Sequence, residues 1–342
     1  MSKSYYIIPI FVPHEGCPHN CVFCNQDRIT GSDEVVTAET VRNTINDYLE
    51  TIKNKNATIE VSFFGGTFTG IKEEKQRELL EVAKDFKDKK LIYKIRLSTR
   101  PDYIDDYILT YLKEYGVDII ELGVQSLDDE VLKKAGRGHS VQDVIKASKL
   151  IKQYKITLGH QIMPGLPGDT FEKDINTTKA SIEMKPDICR IYPSLVIKDT
   201  PMEQMYERND YIPYSLEEAV NISKIMYDMY RKNNIHVIRI GLQPTETINE
   251  GKDIVAGPFH PSFRELVEGS LLTDIILDNM KDEEAAVIEI NSKDLSKLYA
   301  NKKLYFNKLK ELNKNITVNQ NDEIERGHIK LCLKDKKLDI IY

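Results

Sequence analysis

The feature that most constrains the fold is a repeated alternation of short apolar segments and amphipathic segments up to about residue 195. The short segments are almost continuously apolar, which is typical of parallel strands covered on both faces. The segments between them carry apolar residues at helical spacing. This pattern predicts an α/β fold, either a doubly wound sheet or a complete or partial barrel, with its chemistry at the carboxyl ends of the strands. The candidate strands are Tyr6–Phe11, Ile59–Phe64, Ile92–Leu97, Ile119–Gly123, Thr157–Met163 and Ile188–Tyr192.

The composition suits a globular chain and excludes several other classes of protein. Of 342 residues, 41% are hydrophobic, which provides material for a large core and excludes a disordered or collagen-like chain. A formal net charge of -6 excludes a polybasic protein. No stretch reaches the roughly 18 consecutive apolar residues of a membrane span, and the N-terminus has no export signal. We therefore expect a cytoplasmic protein with no membrane partner.

The alternation changes after Tyr192. A helical segment, Ser215–Tyr230, leads to a further candidate strand, His236–Gly241, and then to a Pro/Gly-rich stretch. We predict a barrel domain over residues 1–245 and a small α+β extension over residues 246–342 that caps the barrel or contacts substrate. The lysine-rich tail carries comparable acid, which favours a solvated face over an RNA-binding patch.

Several residues outside the strand ends are also candidates for a structural or substrate-binding role. The stretch GPFHPSFRELVEG is interpreted as a turn that begins a helix and closes the barrel mouth, with substrate contact as the alternative. Lys198 and Arg190 are candidates for the open end of the barrel. Cys189 and Cys332 lie in apolar surroundings and are expected to be buried thiols. The residues of the GPFHPSFRELVEG stretch to which this interpretation applies are Phe259, His260, Phe263 and Arg264.

The strongest chemical signal is a C-x3-C-x2-C array formed by Cys17, Cys21 and Cys24 directly after the first candidate strand. Clustered thiols in a reducing compartment usually hold metal. A 4Fe-4S cluster held by three cysteines leaves one iron open to an amine and a carboxylate, and S-adenosylmethionine has both groups. An electron passed to its sulfonium would release a 5'-deoxyadenosyl radical, chemistry that side chains cannot supply. The alternative is a Cys3His zinc site completed by His14 or His19, closed and structural, in a non-catalytic scaffold.

Further candidate ligands follow the other strands. Gly65-Gly66-Thr67 ends the second strand, and glycines at a strand end let backbone groups approach a ligand closely. Arginine is a bidentate partner for carboxylates, and amide or hydroxyl groups suit ribose. A plain turn, a satisfied polar strand end and a surface arginine remain the alternative interpretations. The polar and sulfur-bearing candidates at the later strand ends are Ser98, Gln125, Arg137, His160 and Met163.

The cysteine array resembles the cysteine loop of the radical SAM superfamily, including Phe23 before the third cysteine. The resemblance implies a partial (βα)6 TIM-type barrel with a 4Fe-4S cluster on the three cysteines and S-adenosylmethionine beside it. It also implies a role for each candidate ligand, although Thr67 stands where the family has Glu. Phe23 and Met163 would lie by the adenine, Ser98 and Gln125 near the ribose, His160 near the nucleoside, Gly65, Gly66 and Thr67 at the methionine amino group, and Arg137 at its carboxylate.

The strings TRPDYI, ELGVQS, RGHSVQDV, IMPGLPG and IYPSLVIKDTPMEQMY resemble the radical SAM domain of the Elongator catalytic subunit, over about residues 5–245. That family modifies the wobble uridine of tRNA and joins the radical domain to an acetyltransferase domain. Here the residues after 245 contain no recognisable acetyl-CoA-binding loop, and the cysteine spacing is shorter. The resemblance implies tRNA or another RNA as substrate and a reductant such as flavodoxin or ferredoxin. GVQS and MPGLPG also resemble coproporphyrinogen oxidases, which leaves a small-molecule substrate as the alternative.

Overall fold

The computed structural model describes residues 5–12, 16–17, 21–25, 35–242, 252–280, 283–312 and 315–342. Seven strands form one parallel sheet in the order β1-β2-β3-β4-β5-β6-β8. All six strands predicted from the apolar runs are present, and the later candidate at His236–Gly241 is the seventh strand of the same sheet. The seven strands are β1 (Tyr5–Val12), β2 (Thr58–Gly65), β3 (Lys94–Thr99), β4 (Ile119–Gln125), β5 (Thr157–Ile162), β6 (Ile188–Ile191) and β8 (His236–Ile240).

The sheet is curled into an open half-barrel. In a flat sheet, β2 and β6 would lie four strand spacings apart, about 19 Å. Instead, the guanidinium carbon of Arg190 on β6 lies 5.5 Å from the ring centroid of Phe64 on β2. The strands β1 and β8 are the two ends of the sheet order, so the half-barrel opens between them. The predicted α/β partial barrel is confirmed, with seven strands where six were predicted.

Helices cover the outer face of the sheet and follow the strands in βα order. Side-chain caps define where several of them begin. A capping box at Ser140 is one example: its Oγ accepts from the backbone N of Asp143 at 3.3 Å, and its own backbone N donates to the Asp143 carboxylate at 2.8 Å. The helices are α1 (Ala38–Thr51), α2 (Glu73–Asp88), α3 (Asp106–Glu114), α4 (Asp129–Lys134), α5 (Val141–Gln153), α6 (Phe171–Glu183), α7 (Pro201–Glu207) and α8 (Leu216–Lys232).

The C-terminal part forms a second, smaller sheet that shares a helix with the barrel. Helix α9 (Phe263–Met280) packs its first half into the barrel core and its second half into the core of the small sheet. The small sheet has the order β11-β10-β12-β13, and β7 pairs with β9 in a separate ribbon. The predicted boundary at residue 245 lies outside the described residues and stays a prediction. The remaining elements are β7 (Val196–Ile197), β9 (Ile254–Ala256), β10 (Ala285–Ile290), α10 (Leu295–Leu298), α11 (Ala300–Glu311), β11 (Asn315–Gln320), β12 (His328–Cys332) and β13 (Lys337–Ile341).

The two remaining cysteines differ in their surroundings. Cys189 on β6 is fully buried, and burial raises the pKa of its thiol to about 12. Cys332 on β12 is only half-buried, because it lies at the end of a strand in the small sheet. In the ranges that the structure describes, no helix combines the length and apolar character needed to span a bilayer.

A chain of buried ion pairs fills the lower part of the barrel interior. Glu60 on β2, Arg96 on β3, Glu121 on β4 and Arg190 on β6 alternate in charge, and each is at most 8% exposed. Arg96 Nε lies 2.6 Å from Glu60 Oε1, and its Nη1 donates to Glu121. Arg190 donates to both oxygens of Glu121, at 2.6 and 3.0 Å. Two acids and two bases cancel, so the interior carries no net charge from this set.

The ionised form of Glu121 depends on its arginine neighbours. Burial alone would raise the pKa of this carboxyl, but the charges of Arg190 and Arg96 outweigh it and hold the pKa below the usual range. Removing one partner from this set leaves an uncompensated charge inside the barrel. The resulting loss of folding stability is larger than the net stability that the intact ion pair provides.

We therefore predict that Arg96→Met lowers the free energy of unfolding by about 3–5 kcal/mol, measured by urea denaturation, because the cation between Glu60 and Glu121 would be lost and Glu121 would keep Arg190 alone. The matched control is Arg42→Met, which removes an exposed ion pair with Asp85 on the helical face and should change stability little. Equal denaturation midpoints for the two variants would contradict a stabilising role for the buried set.

Candidate active site

A cavity of about 250 Å³ lies at the carboxyl ends of the parallel strands. It is open on one side, and residues from the cysteine array and from the ends of β2 to β6 form its wall. It brings together all the predicted site residues except His160. The lining residues are Cys17, Cys21, Phe23, Cys24, Gly65, Gly66, Thr67, Ser98, Thr99, Arg100, Gly123, Gln125, Arg137, Gln161, Met163 and Tyr192.

Backbone hydrogen bonds hold the cysteine segment against two helices. The N–H of Val22 donates to the carbonyl of Ala135 after α4 at 3.0 Å, and the carbonyl of Val22 accepts from Met202 on α7 at 2.9 Å. A turn between Cys21 and Cys24 is closed by a 3.0 Å bond from the N–H of Cys24 to the carbonyl of Cys21. The segment is therefore fixed to the barrel by its backbone, which leaves the thiols to face the cavity.

Gly16 lets the start of the array approach the loop after β2. Its φ is +75°, and a Cβ there would lie 2.3 Å from the carbonyl oxygen of Thr67. Any side chain would push this loop away. The approach places Cys17 Sγ 3.2 Å from Thr67 Oγ1, so the hydroxyl predicted to face the methionine amino group lies against a thiol. Thr67 is 1% exposed, which fixes its position in the cavity wall.

The donor set fits an iron–sulfur cluster. All three thiols line the one cavity, and the guanidinium of Arg137 donates to Cys21 Sγ at 3.3 Å, as a cation beside a thiolate would. Among the described residues, no three His, Cys, Asp or Glu side chains gather closely enough to hold a single metal ion. A multi-iron cluster takes its cysteines on different irons, so its thiolates need to share a cavity without meeting at one point. His14 and His19, the predicted fourth ligands of a zinc site, lie outside the described residues.

Arg137 and Gln125 present buried polar atoms with no protein partner. Arg137 is 7% exposed and anchors its Nη2 on the carbonyl of Gly123 at 2.6 Å, while its Nε has no hydrogen-bond partner. The Oε1 of Gln125 is equally unpartnered. Both side chains line the cavity. Buried polar groups are normally satisfied, so these two atoms indicate a polar ligand, and a carboxylate with ribose hydroxyls matches them.

The end of β4 is strained at the same place. Gln125 has a φ of +67°, which is uncommon for a residue with a side chain, and the pairing register with β5 shifts between Leu122 and Gln125. Its carbonyl nevertheless accepts from the N–H of Met163 at 2.8 Å, which fixes the next strand end. A residue at the carboxyl end of a strand that is held in this conformation is a candidate for ligand binding.

The loop after β5 is fixed by tyrosines and a pair of acids. Tyr211 donates to the carbonyl of Gly165 at 2.6 Å, and Tyr214 donates to the carboxylate of Asp174 at 2.9 Å. Burial and the nearby Asp169 raise the pKa of Asp174 well above its usual range. The MPGLPG motif is therefore a rigid support that holds Met163 in the cavity wall.

The structure places His160 outside the cavity, which corrects the prediction for this residue. Its side chain is fully buried between the sheet and the helices, with its ring nitrogens 2.9 Å from Ser148 Oγ and 2.8 Å from Ser181 Oγ. Burial, with a smaller effect of Lys152, lowers the pKa of His160 to about 3. Successive strand residues face opposite sides, so Gln161 and not His160 faces the interior.

Five lining residues were not predicted. Of these, Gln161 and Tyr192 connect the cavity to the buried ion pairs: Gln161 donates to Glu121 at 2.8 Å, and the Tyr192 hydroxyl accepts from Arg190 at 3.0 Å. Counting the period-two alternation from β5 and β6 would have identified both as inward-facing. The other three are Thr99, Arg100 and Gly123.

The GPFHPSFRELVEG stretch begins helix α9, as predicted, with Phe263 buried in the barrel core. Arg264 is paired with Glu268 at 2.7 Å and so has a structural partner. Pro258, Phe259 and His260 line a small recess beside the end of β8. Substrate contact by these residues stays a prediction, as does the ligand group assigned to each residue of the main cavity.

Comparison with known proteins agrees with this geometry. The model of the radical SAM superfamily matches residues 11–179, and that of the radical SAM C-terminal domain matches residues 186–272. A tRNA uridine(34) acetyltransferase of Methanocaldococcus infernus is 30% identical over 255 residues, which are 63% of this chain and 48% of that protein. An uncharacterized protein of Methanocaldococcus jannaschii is 32% identical over 220 residues, 61% of this chain and 67% of its own length. The chain thus spans about half the length of the first relative.

A solved structure shows the same fold. The archaeal Methanocaldococcus infernus Elp3 with an N-terminal deletion superposes with a TM-score of 0.63 at 22% identity, over 98% of this chain and 75% of that chain. Proteins of the radical SAM superfamily use a 4Fe-4S cluster and S-adenosylmethionine, the two groups that the cavity's thiols and unpartnered polar atoms fit. The cysteine array, the half-barrel and both family models lead to one conclusion: the chain belongs to the radical SAM superfamily and is a radical SAM enzyme.

Proposed function

We propose that this enzyme modifies a base in tRNA or another structured RNA by reductive cleavage of S-adenosylmethionine. The observation that carries the proposal is the match to a tRNA uridine(34) acetyltransferase over 255 residues, at 30% identity. When bound, the cluster supplies the electron for cleavage of S-adenosylmethionine, and a flavodoxin or ferredoxin would reduce it. The cytoplasm is the location that we propose, since tRNA is present there.

The roles of the chain's own residues follow from the cavity wall. Arg137 presents an unpartnered N–H for the methionine carboxylate, and Gln125 presents an unpartnered carbonyl for a ribose hydroxyl. The backbone N–H of Gly66 is already bonded to the carbonyl of Val12 at 2.9 Å, so this turn contributes shape more than a free donor. Phe23 and Met163 both line the cavity and pack against one cluster of buried apolar residues, and so provide an apolar surface for the adenine.

The acetyl transfer named for the relatives is not part of the proposal. The matched region covers 48% of the Methanocaldococcus infernus protein, and a match of that extent does not carry the activity of the whole protein. The surface charge also limits the RNA site to a local feature, because the chain has a net charge of -6 and RNA binding needs basic groups near the phosphates.

We predict that the reconstituted enzyme, incubated anaerobically with S-adenosylmethionine, reductant and tRNA from cells lacking this protein, produces a nucleoside of altered mass in the digested tRNA. Cys21→Ala should produce none, because it removes a thiol from the cavity. Cys332→Ala, in the small sheet, is the matched control and should behave as wild type. If no nucleoside changes in tRNA or in total RNA while S-adenosylmethionine is still cleaved, the RNA substrate is wrong and a small metabolite becomes the leading candidate.

A second prediction concerns Arg137. Arg137→Met should weaken S-adenosylmethionine binding to the reconstituted enzyme by about 10- to 100-fold in equilibrium dialysis, since a charge-assisted hydrogen bond contributes roughly 1.5–3 kcal/mol. Arg137→Lys, which keeps the charge, should lose less. Iron content must match wild type in both variants because Arg137 also contacts Cys21. Unchanged affinity in the Met variant would remove Arg137 from the carboxylate site.

A further inference from the structure

Two phenylalanines form an exposed aromatic surface on the inner side of the half-barrel. Phe11 on β1 and Phe64 on β2 are cross-strand partners, with ring centroids 6.2 Å apart and ring planes inclined by 39°. Phe11 remains 42% exposed, although its neighbours Ile10 and Val12, which face the helices, are buried. An aromatic ring left open at the carboxyl end of the strand that borders the barrel opening has no role in the core.

The position of this pair is fixed on one side only. The guanidinium of Arg190 lies over the Phe64 ring at 5.5 Å, and Glu121 holds that guanidinium through two hydrogen bonds. Phe64 is followed directly by Gly65, which lines the main cavity. The Phe64 ring is therefore held in place by Arg190. The Phe11 ring is exposed at the opening of the barrel, beside the cofactor cavity.

The polar side chains near Phe11 and Phe64 favour a planar ligand with polar edges over an apolar ligand. The cavity wall next to Arg190 contains side chains that can form hydrogen bonds with the edge of a ring, namely Gln161, Tyr192 and Ser98. Arg239 on β8 pairs in register with Arg190, so the strand at the opposite border of the opening also carries a basic residue. Single-stranded nucleic acids are bound by this combination of aromatic surfaces and basic groups, whereas apolar ligands take enclosed apolar pockets.

We propose that Phe11, supported by Phe64, is the stacking surface for the RNA base that this enzyme modifies. The inference rests on the proposed RNA function and deepens it by naming where the target base lies. The base would enter between β1 and β8 and stack on Phe11, and its edge would face Gln161 and Tyr192. The closed lower interior, filled by the ion pairs of Glu60, stops it from passing further down the barrel.

The absence of tryptophan from the chain makes a direct test possible. Phe11→Trp introduces a single tryptophan that keeps an aromatic surface, and a stacked base should quench its emission as tRNA is titrated. Tyr107→Trp, on the outer helix α3 at 61% exposure, is the matched control and should not be quenched. Binding of the same fluorescein-labelled tRNA is followed in parallel by anisotropy.

A second pair of variants measures the contribution to affinity. Phe11→Ala should weaken tRNA binding by about 5- to 100-fold, the range reported by alanine substitution of stacking residues. Ile7→Ala, on the same inner face of β1 and 39% exposed, should leave it unchanged. Affinity for S-adenosylmethionine should be equal in both variants, which shows that the cofactor cavity has not collapsed.

The outcomes separate this inference from the proposed function. Saturable quenching of Phe11→Trp with the same dissociation constant as the anisotropy change supports the stacking surface. If tRNA binds but the Phe11→Trp emission does not change, the stacking surface is wrong and the RNA function stands. If wild type binds neither tRNA nor total RNA, the proposed RNA function fails and the assignment of Phe11 to an RNA base fails with it.

Discussion

The structure depends on one buried carboxylate, Glu121, which lies between Arg96 and Arg190 inside the half-barrel. A parallel sheet that curls over an open interior has to fill that interior, and here charged side chains of opposite sign do so in place of an apolar core. The same carboxylate accepts from Gln161, and Arg190 in turn donates to Tyr192. The electrostatic arrangement that stabilises the barrel therefore also orients two side chains of the cofactor cavity.

The interior of the half-barrel therefore has two parts: a lower part filled by the buried ion pairs, and a ligand-binding rim, which is the wall of the cavity at the strand ends. Below the cavity, each of the four buried charges has a partner of opposite charge on another strand; these residues are Glu60, Arg96, Glu121 and Arg190. At the rim, Arg137 and Gln125 retain buried atoms without partners, and Gln125 adopts a strained backbone conformation. These two unsatisfied groups line the cavity that also holds the three thiols, so a ligand bound there would remove the cost of leaving them unpaired. The proposed stacking surface at Phe11 extends the same rim toward the opening of the barrel.

Much of the fold could be predicted from the sequence, because parallel strands covered on both faces are continuously apolar and helices carry a periodic apolar stripe. The cysteine array and the Gly65-Gly66 turn could be found because their residue types and spacing carry the chemistry locally. The alternation of side chains along β5 places His160 on the side of the sheet that faces the helices. The prediction for His160 was wrong because every residue of the HQIMPGLPG segment was expected to lie near the cofactor. Pairings such as Glu121 with Arg190 could not be predicted, because β4 and β6 are not neighbours and their contact depends on the curvature of the sheet.

Formation of 5'-deoxyadenosine would demonstrate radical SAM chemistry in the cavity at the strand ends. The protein would be reconstituted anaerobically with iron and sulfide and mixed with S-adenosylmethionine and a strong reductant. We expect 5'-deoxyadenosine from the wild type, with about four irons per chain, and none from a Cys24→Ala variant. A protein that carries about one zinc per chain and forms no 5'-deoxyadenosine would rule out this chemistry and favour a closed structural site.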